Sequence, residues 1–313
     1  MLLFVTNQLK FMIKLQPYKG KSTRHTCPAC KRKHSFTLYI NTETNQPIHP
    51  KVGICNRAIK CGYHYMPKQF SADNKNSITN DYQNKTPYVK SFQPLHKIDF
   101  IPELYVKKSL NPKSNFVSFL YSKFKPEQVQ KALLEYKLGA TKNKEVIFWQ
   151  IDTLNRVRTG KIMQYNSVTG KRIKHQSTAI DWVHNKLKQS KLLNYNFNLK
   201  QCFFGEHLLN TDKNKWIGIV ESEKTAIIAS IYFPNLIWLA TGSLNNLTIE
   251  RCSVLTNRNV ILYPDLGAFD IWCNKANVIQ LKIKCDIKIS NLLNEIATPS
   301  ERQYGLDIGD YLC

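Results

Sequence analysis

"WIGIVESEKTAIIAS", residues 216–230, passes from an apolar run into Glu-Ser-Glu-Lys and straight on into a second apolar run. The first run has the length of a buried strand and the second that of a helix, which places the charged residues at a strand-to-helix seam. A carboxylate there is held rigidly at the C-terminal edge of a sheet, where ligands bind and a divalent cation can be gripped without mobile parts. "NVILYPDLGAFDIW", residues 259–272, repeats the arrangement with a strand that ends at Asp265. Adjacent strands would bring Glu221 and Asp265 together.

The surroundings of these two stretches extend the pattern. From residue 201 onward, "WIGIV", "LIWLATG", "NVILYPD" and "CDIKIS" read as strands, and "KTAIIASIY", "LTIERCSVL" and "GAFDIWCNKANVI" as the helices between them. Such alternation predicts an α/β domain over 201–313 with a parallel sheet. In "TGSLNN", residues 241–246, a Gly-Ser turn lets backbone amides approach an anion.

The region 96–200 reads as a basic α+β segment. "NPKSNFVSFLYSKF" and "KPEQVQKALLEYKLG" space their apolar residues as helices do, opened at Asn111-Pro112 and Lys125-Pro126, with Gly139 closing the second. Residues 145–174 then give β-rich runs broken at Leu154-Asn155, Thr159-Gly160 and Thr169-Gly170, which predict successive hairpins. Arg156, Arg158, Lys161, Lys171, Arg172 and Lys174 decorate this sheet as a candidate nucleic-acid track. Residues 71–95, polar and rich in Asn, Ser and Lys, read as a linker.

Composition narrows the function classes. With 45 Lys+Arg against 22 Asp+Glu, the formal charge of +23 far exceeds what solubility needs and points to a polyanionic partner. No run of 18 apolar residues is present, and Asn7, Gln8, Lys10 and Lys14 interrupt the N-terminal apolar stretch, so a membrane span and a signal peptide are both poor readings and a cytoplasmic protein is expected.

Of nine cysteines, four cluster near the N-terminus, where residues 1–70 carry short β-like pieces such as "SFTLYIN" and "KVGIC". "HTCPAC" and "CNRAIKCGYH" supply Cys27, Cys30, Cys55 and Cys61 as four soft donors from two knuckles, the set that a structural zinc in a β-ribbon needs. Cys55 and Cys61 lie farther apart than a usual knuckle pair, so His64 and His25 stand as second-choice ligands. Lys31, Arg32 and Lys33, with His34 and Phe36 beside them, interleave charge and aromatic rings as a single strand's phosphates and bases would want.

"IVESEKTAIIAS" resembles the glutamate-bearing first motif of TOPRIM domains, and "VILYPDLGAFDIW" resembles their acidic Asp-x-Asp motif. "YGLDIGDYL" at 304–312 resembles the Asp-x-x-Asp-Tyr-Leu ending of primase-like members. A zinc ribbon, a basic middle region and a TOPRIM-like domain follow the order of DnaG-type primases. With "CNRAIKCGYHYMPKQF", "RTGKIMQYNSVTGKRIKH" and "QCFFGEHLL", nearly the whole chain looks like the primase-like zinc-ribbon proteins of Bacteroidetes mobile elements.

This resemblance implies magnesium-dependent phosphate chemistry, with Glu221 matching the family glutamate and Asp265 the first aspartate. The second aspartate falls on Gly267. Asp270, or Asp307 or Asp310 from the C-terminal segment, stands as the substitute, and Lys224 as a phosphate contact. Two functions follow: a primase-like protein that binds single-stranded DNA and synthesises primers with Mg2+, or a non-catalytic nucleic-acid-binding accessory factor with a degenerate TOPRIM-like domain. The implied partners are single-stranded DNA and a replicative helicase or another mobile-element protein.

Overall fold

The computed structural model describes residues 13–42, 44–57, 60–73, 98–110, 113–173, 180–194 and 196–313. The chain divides into two compact units, residues 1–92 and 93–313. The stretch expected as a linker lies outside the described residues from 74 onward, and its first three residues end a short helix. Among the described residues no helix is long and apolar enough to cross a membrane.

The first unit is a ribbon of four antiparallel strands in chain order: β1 (Ile13–Leu15), β2 (Phe36–Asn41), β3 (Gly53–Cys55) and β4 (His64–Tyr65), followed by α1 (Pro67–Asp73). Period-two alternation buries Phe36, Leu38 and Ile40 along β2. Gly53 lies where a Cβ would run into the Thr37 carbonyl oxygen and the Phe36 ring, so the β2–β3 pairing needs a glycine there. The apolar cluster holds only Phe36 and Leu38 beside Cys27 and Cys55, with Cys30, Cys61 and Tyr63 packed on it. A core that small cannot order a chain of this length without a staple.

In the second unit, α2 (Leu104–Ser109), α3 (Asn115–Lys123) and α4 (Pro126–Glu135) precede an antiparallel sheet. Asn111-Pro112, expected to open α3, lies outside the described residues, and Ser114 is the cap, its hydroxyl accepting from the Val117 amide at 3.3 Å. Pro126 takes the first position of α4 as its fixed φ favours. That helix ends at Glu135, and Lys137, with a φ of 49°, reverses the chain behind it, whereas Gly139 has already entered a strand.

The antiparallel sheet runs β5 (Gly139–Ala140), β6 (Val146–Ile151), β7 (Val157–Met163) and β8 (Asp181–Trp182), in that order. Leu154-Asn155 makes the expected turn: Asn155 is left-handed (φ 59°), and the Asp152 carboxylate accepts from the Leu154 and Arg156 amides at 2.9 and 3.0 Å. Thr159-Gly160, in contrast, is no turn. Gly160 sits in mid-strand opposite Trp149, where a Cβ would meet Ile147, Val183 and the Trp149 ring at 2.7–3.0 Å. The glycine there admits α5 (Val183–Gln189) close to the strand instead of reversing the chain.

The parallel sheet is as expected. β9 (Ile217–Val220), β10 (Ile237–Ala240), β11 (Asn259–Leu262) and β12 (Asp286–Ile289) lie in the order β10-β9-β11-β12, every pair parallel. All residues of β9 and β10 are buried, as strands covered on both faces must be. Between them run α6 (Glu223–Tyr232), α7 (Ile249–Cys252) and α8 (Phe269–Gln280), and α9 (Leu292–Ile296) and α10 (Ile308–Leu312) follow β12. The helix expected within 243–255 is broken into α7 and two flanking 3-10 turns.

Two features join the sheets within this unit. Phe204 forms an antiparallel bridge with Ala240 and so covers the edge of β10. Tyr136 donates its hydroxyl to the Trp238 carbonyl at 2.9 Å and stacks on Phe204 at 5.2 Å.

Candidate functional site

In the ribbon, the Sγ atoms of Cys27, Cys30, Cys55 and Cys61 all lie within 4.8 Å of one another. Two tight turns deliver them. The Lys31 amide donates to the Cys27 carbonyl at 2.9 Å, and the Cys61 amide to the Arg57 carbonyl at 2.8 Å, with Gly62 left-handed (φ 64°) behind it. The Arg32 amide pulls the Cys30 thiol down to about 6, favouring the thiolate, while burial pushes Cys55 up to about 11. A soft cation that binds all four sulfurs overrides this disagreement, because it demands every thiolate at once. The donor set fits zinc with all four positions filled by protein, a structural rather than a catalytic arrangement.

The second-choice ligands are occupied elsewhere. His64 stacks on Tyr39 and shares a 3.0 Å hydrogen bond with its hydroxyl, and His25 contacts the Gln16 side-chain oxygen at 3.0 Å. Lys31, Arg32, Lys33 and His34 are exposed, and Lys31 and His34 both adopt positive φ.

At the carboxyl edge of the parallel sheet, β9 and β11 are neighbours, so Glu221 and Asp265 leave adjacent strands. The chain then turns at 265–268, where the Ala268 amide donates to the Asp265 carbonyl at 2.9 Å. Gly267 is the third residue of that turn, with φ 83°, a conformation that an aspartate adopts only under strain. Turn geometry thus accounts for glycine at this position.

The other acids come from the C-terminal segment. The Leu266 amide donates to the Leu306 carbonyl at 2.9 Å, which lays residues 306–312 along the start of α6. Asp307 accepts from Thr225 Oγ1 at 2.6 Å and, with Asp310, forms a capping box on α10; Asp310 also pairs with Lys224 at 3.2 Å.

The result is a strongly acidic microenvironment. Burial pushes the Asp265 carboxyl up to about 9, reinforced by the negative charges of Asp307, Glu221 and Asp310. Burial raises Glu221 as well, against a hydrogen bond from the Leu244 amide and the Lys161 ammonium. Hard oxygen donors held in mutual repulsion fit a cation such as Mg2+. Among the described residues, however, the four thiols are the group gathered closely enough to share an ion, so the oxygens of this edge would have to close on one. Asp270 is exposed at the start of α8 and is not among the charges that act on Asp265; the companions of Glu221 and Asp265 are Asp307 and Asp310.

The six basic residues expected to form one track are divided. Arg158 is buried and Arg156 half-exposed, both paired with the buried Asp152 at 2.8–2.9 Å and stacked on Phe100 at 4.5–4.9 Å. Lys161 is buried in an ion pair with Glu223. Lys171 and Arg172 are exposed beyond the turn at Gly170, and Lys174 lies outside the described residues. Strand β7 is buried at every position from Val157 to Met163, so the charges it carries are spent on internal pairs.

Glu223, in the first turn of α6, is a buried member of the acidic edge that the sequence does not single out. Its partner is 62 positions away, and no local pattern announces it. Asp152 did carry a signal, since an aspartate two residues before Leu154-Asn155 is the residue that closes such a turn.

Residues 11–76 match the model of a zinc beta-ribbon finger family, and residues 114–266 that of a domain of unknown function, DUF6371. No curated protein matches the chain. Similar solved structures include the DnaG catalytic core, at 11% identity and a TM-score of 0.40, covering 66% of this chain and 79% of that one. A DnaG primase catalytic domain bound to ssDNA matches at 10% identity and a TM-score of 0.40, covering 66% and 80%. The primase fragment of the bacteriophage T7 primase-helicase protein matches at 10% identity and a TM-score of 0.33, covering 84% and 88%.

Proposed function

We propose that this chain is a primase-like nucleic-acid-binding protein whose ribbon, held by a structural zinc ion, engages single-stranded DNA and whose TOPRIM-like seam handles phosphates. The observation that carries the reading is that Glu221 and Asp265, both half-buried, follow adjacent parallel strands onto one acidic edge. Bound there, Mg2+ would supply Lewis-acid stabilisation of charge on a phosphoryl group. The chain's own part is to hold Glu221 and Asp265 as its ligands, to keep Asp307 in place through Thr225, and to present Lys224 beside them.

On this reading the reaction is attack of a 3′-hydroxyl on a nucleotide α-phosphate with loss of pyrophosphate. The exposed Lys31, Arg32, Lys33, Lys171 and Arg172 contribute phosphate contacts. The sequence resemblance adds a mobile-element setting, with a replicative helicase or another element-encoded protein as partner.

Two observations favour the second reading, an accessory factor that binds nucleic acid without catalysis. Gly267 stands where the family has an aspartate, on backbone that disfavours restoring one, and the carboxylate oxygens are not gathered. Primer synthesis on a single-stranded template, with and without Mg2+, separates the two. Synthesis abolished by Glu221→Gln and by Asp265→Asn supports the enzyme; tight binding of the same template with no Mg2+-dependent product supports the accessory factor; strand cleavage defeats both.

A further inference from the structure

The ammonium of Lys161 donates to both carboxylate oxygens of Glu223, at 3.1 and 2.8 Å, and to the Gly242 carbonyl oxygen at 3.3 Å. The two side chains are 6% and 2% exposed. Lys161 belongs to β7 of the antiparallel sheet; Glu223 opens α6, two residues beyond Glu221; Gly242 follows β10. The Gly242 amide in turn donates to the Glu221 carbonyl at 2.8 Å, and a Cβ at Gly242 would lie 3.0 Å from Glu223 Oε1. A single cation supplied by one sheet therefore grips the loop after each of two neighbouring strands of the other, on both sides of Glu221.

A buried ion pair is a poor way to gain stability, since two apolar side chains of similar volume would do as well or better. What it supplies is a fixed geometry, in the manner of the outer groups that orient metal ligands. We propose that Lys161 is a positioning residue of the cation site: through Glu223 and Gly242 it fixes the backbone from which the Glu221 carboxylate is presented. Lys161 is then unavailable to a DNA phosphate, and its role is internal. This rests on the reading of Glu221 as a cation ligand.

The test uses the full chain with its zinc. Lys161→Met combined with Glu223→Gln removes the grip and leaves the net charge unchanged, so electrostatic attraction of a cation is preserved. Mn2+ titration followed by electron paramagnetic resonance, and hydrogen exchange of amides 241–246 by mass spectrometry, are read together. The expected result is a loss of about tenfold in Mn2+ affinity, with faster exchange across 241–246 and unchanged zinc content. Mn2+ binding that is sensitive to Glu221→Gln but equal in wild type and double variant overturns the proposal and leaves the cation site standing. Wild-type Mn2+ binding that ignores Glu221→Gln overturns both. Should the double variant fail to fold, Glu223→Asp, which keeps the charge and shortens the reach, takes its place; undiminished Mn2+ affinity in it overturns the proposal equally.

Discussion

In the ribbon, four thiols from two turns meet within 4.8 Å, and their other contacts are weak ones to sulfur at 3.7–4.0 Å. At the edge of the parallel sheet the carboxylates are engaged one by one: Asp307 with Thr225 and its own helix cap, Asp310 with Lys224, Glu221 with the Leu244 amide. The first cluster has no competing use and a very small core around it. The second rests on a sheet whose central strand β9 and its neighbour β10 are buried throughout, and it stands without help. One region therefore depends on an ion for its fold, and in the other an ion would be added to a fold already complete.

The largest effect expected from this contrast is on the ribbon. Removing zinc with a chelator, or replacing Cys27 by Ser, forfeits a binding free energy on the order of 10 kcal/mol and unfolds residues 13–73, while residues 98–313 keep their structure. Amide spectra should lose the first set of signals and retain the second; ribbon signals that survive metal removal would break the comparison.

Next in size is the grip on the seam. Lys161→Met alone leaves Glu223 buried without its partner and should cost about 3 kcal/mol in denaturant unfolding. Adding Glu223→Gln should return most of that, because the buried charge goes with it. Equal stability of single and double variants would mean that the pair is not desolvated.

The acidity of the edge makes a smaller, pH-dependent contribution. Because the folded-state value for Asp265 is raised to about 9, the native protein binds a proton that the unfolded chain has released, so stability falls as pH rises from about 4 toward about 9. Asp265→Asn should flatten this slope and stabilise the metal-free protein at the alkaline end by on the order of 2 kcal/mol, measured by thermal unfolding across pH. A slope unchanged by the substitution would place the effect elsewhere.

The smallest expected effect concerns binding. Arg32→Ala or Lys33→Ala should reduce the salt dependence of single-stranded DNA affinity by about 0.7 in log–log slope, whereas Arg156→Ala, whose guanidinium is paired with Asp152, should leave it nearly unchanged. Fluorescence anisotropy at several salt concentrations distinguishes the two.

The sequence carried the parallel sheet and the cysteine cluster because both are signalled locally, the first by strand and helix periods and the second by donor spacing. Glu221 directly follows β9 as its strand pattern suggests, whereas Asp265 comes three residues after β11, where the apolar run reads on past the end of the strand. Thr159-Gly160 misled because a glycine that admits a packed helix looks the same in a sequence as one that turns the chain. The basic residues of β7 misled because the whole strand is buried, and charge in a sequence says nothing about a buried partner far along the chain. Lys161 of β7 and Glu223 of α6 find each other 62 positions apart, a pairing encoded in no short window.

The bridge between Phe204 and Ala240, with Tyr136 stacked on Phe204 and bonded to the Trp238 carbonyl, bears on how the protein can be dissected. A fragment cut between residues 200 and 201 would keep the bridge but lose Tyr136 and the Phe148 ring that meets Phe204 at 5.5 Å, leaving an aromatic face open to water. Such a fragment should precipitate on expression, while one beginning near residue 98 should remain in solution.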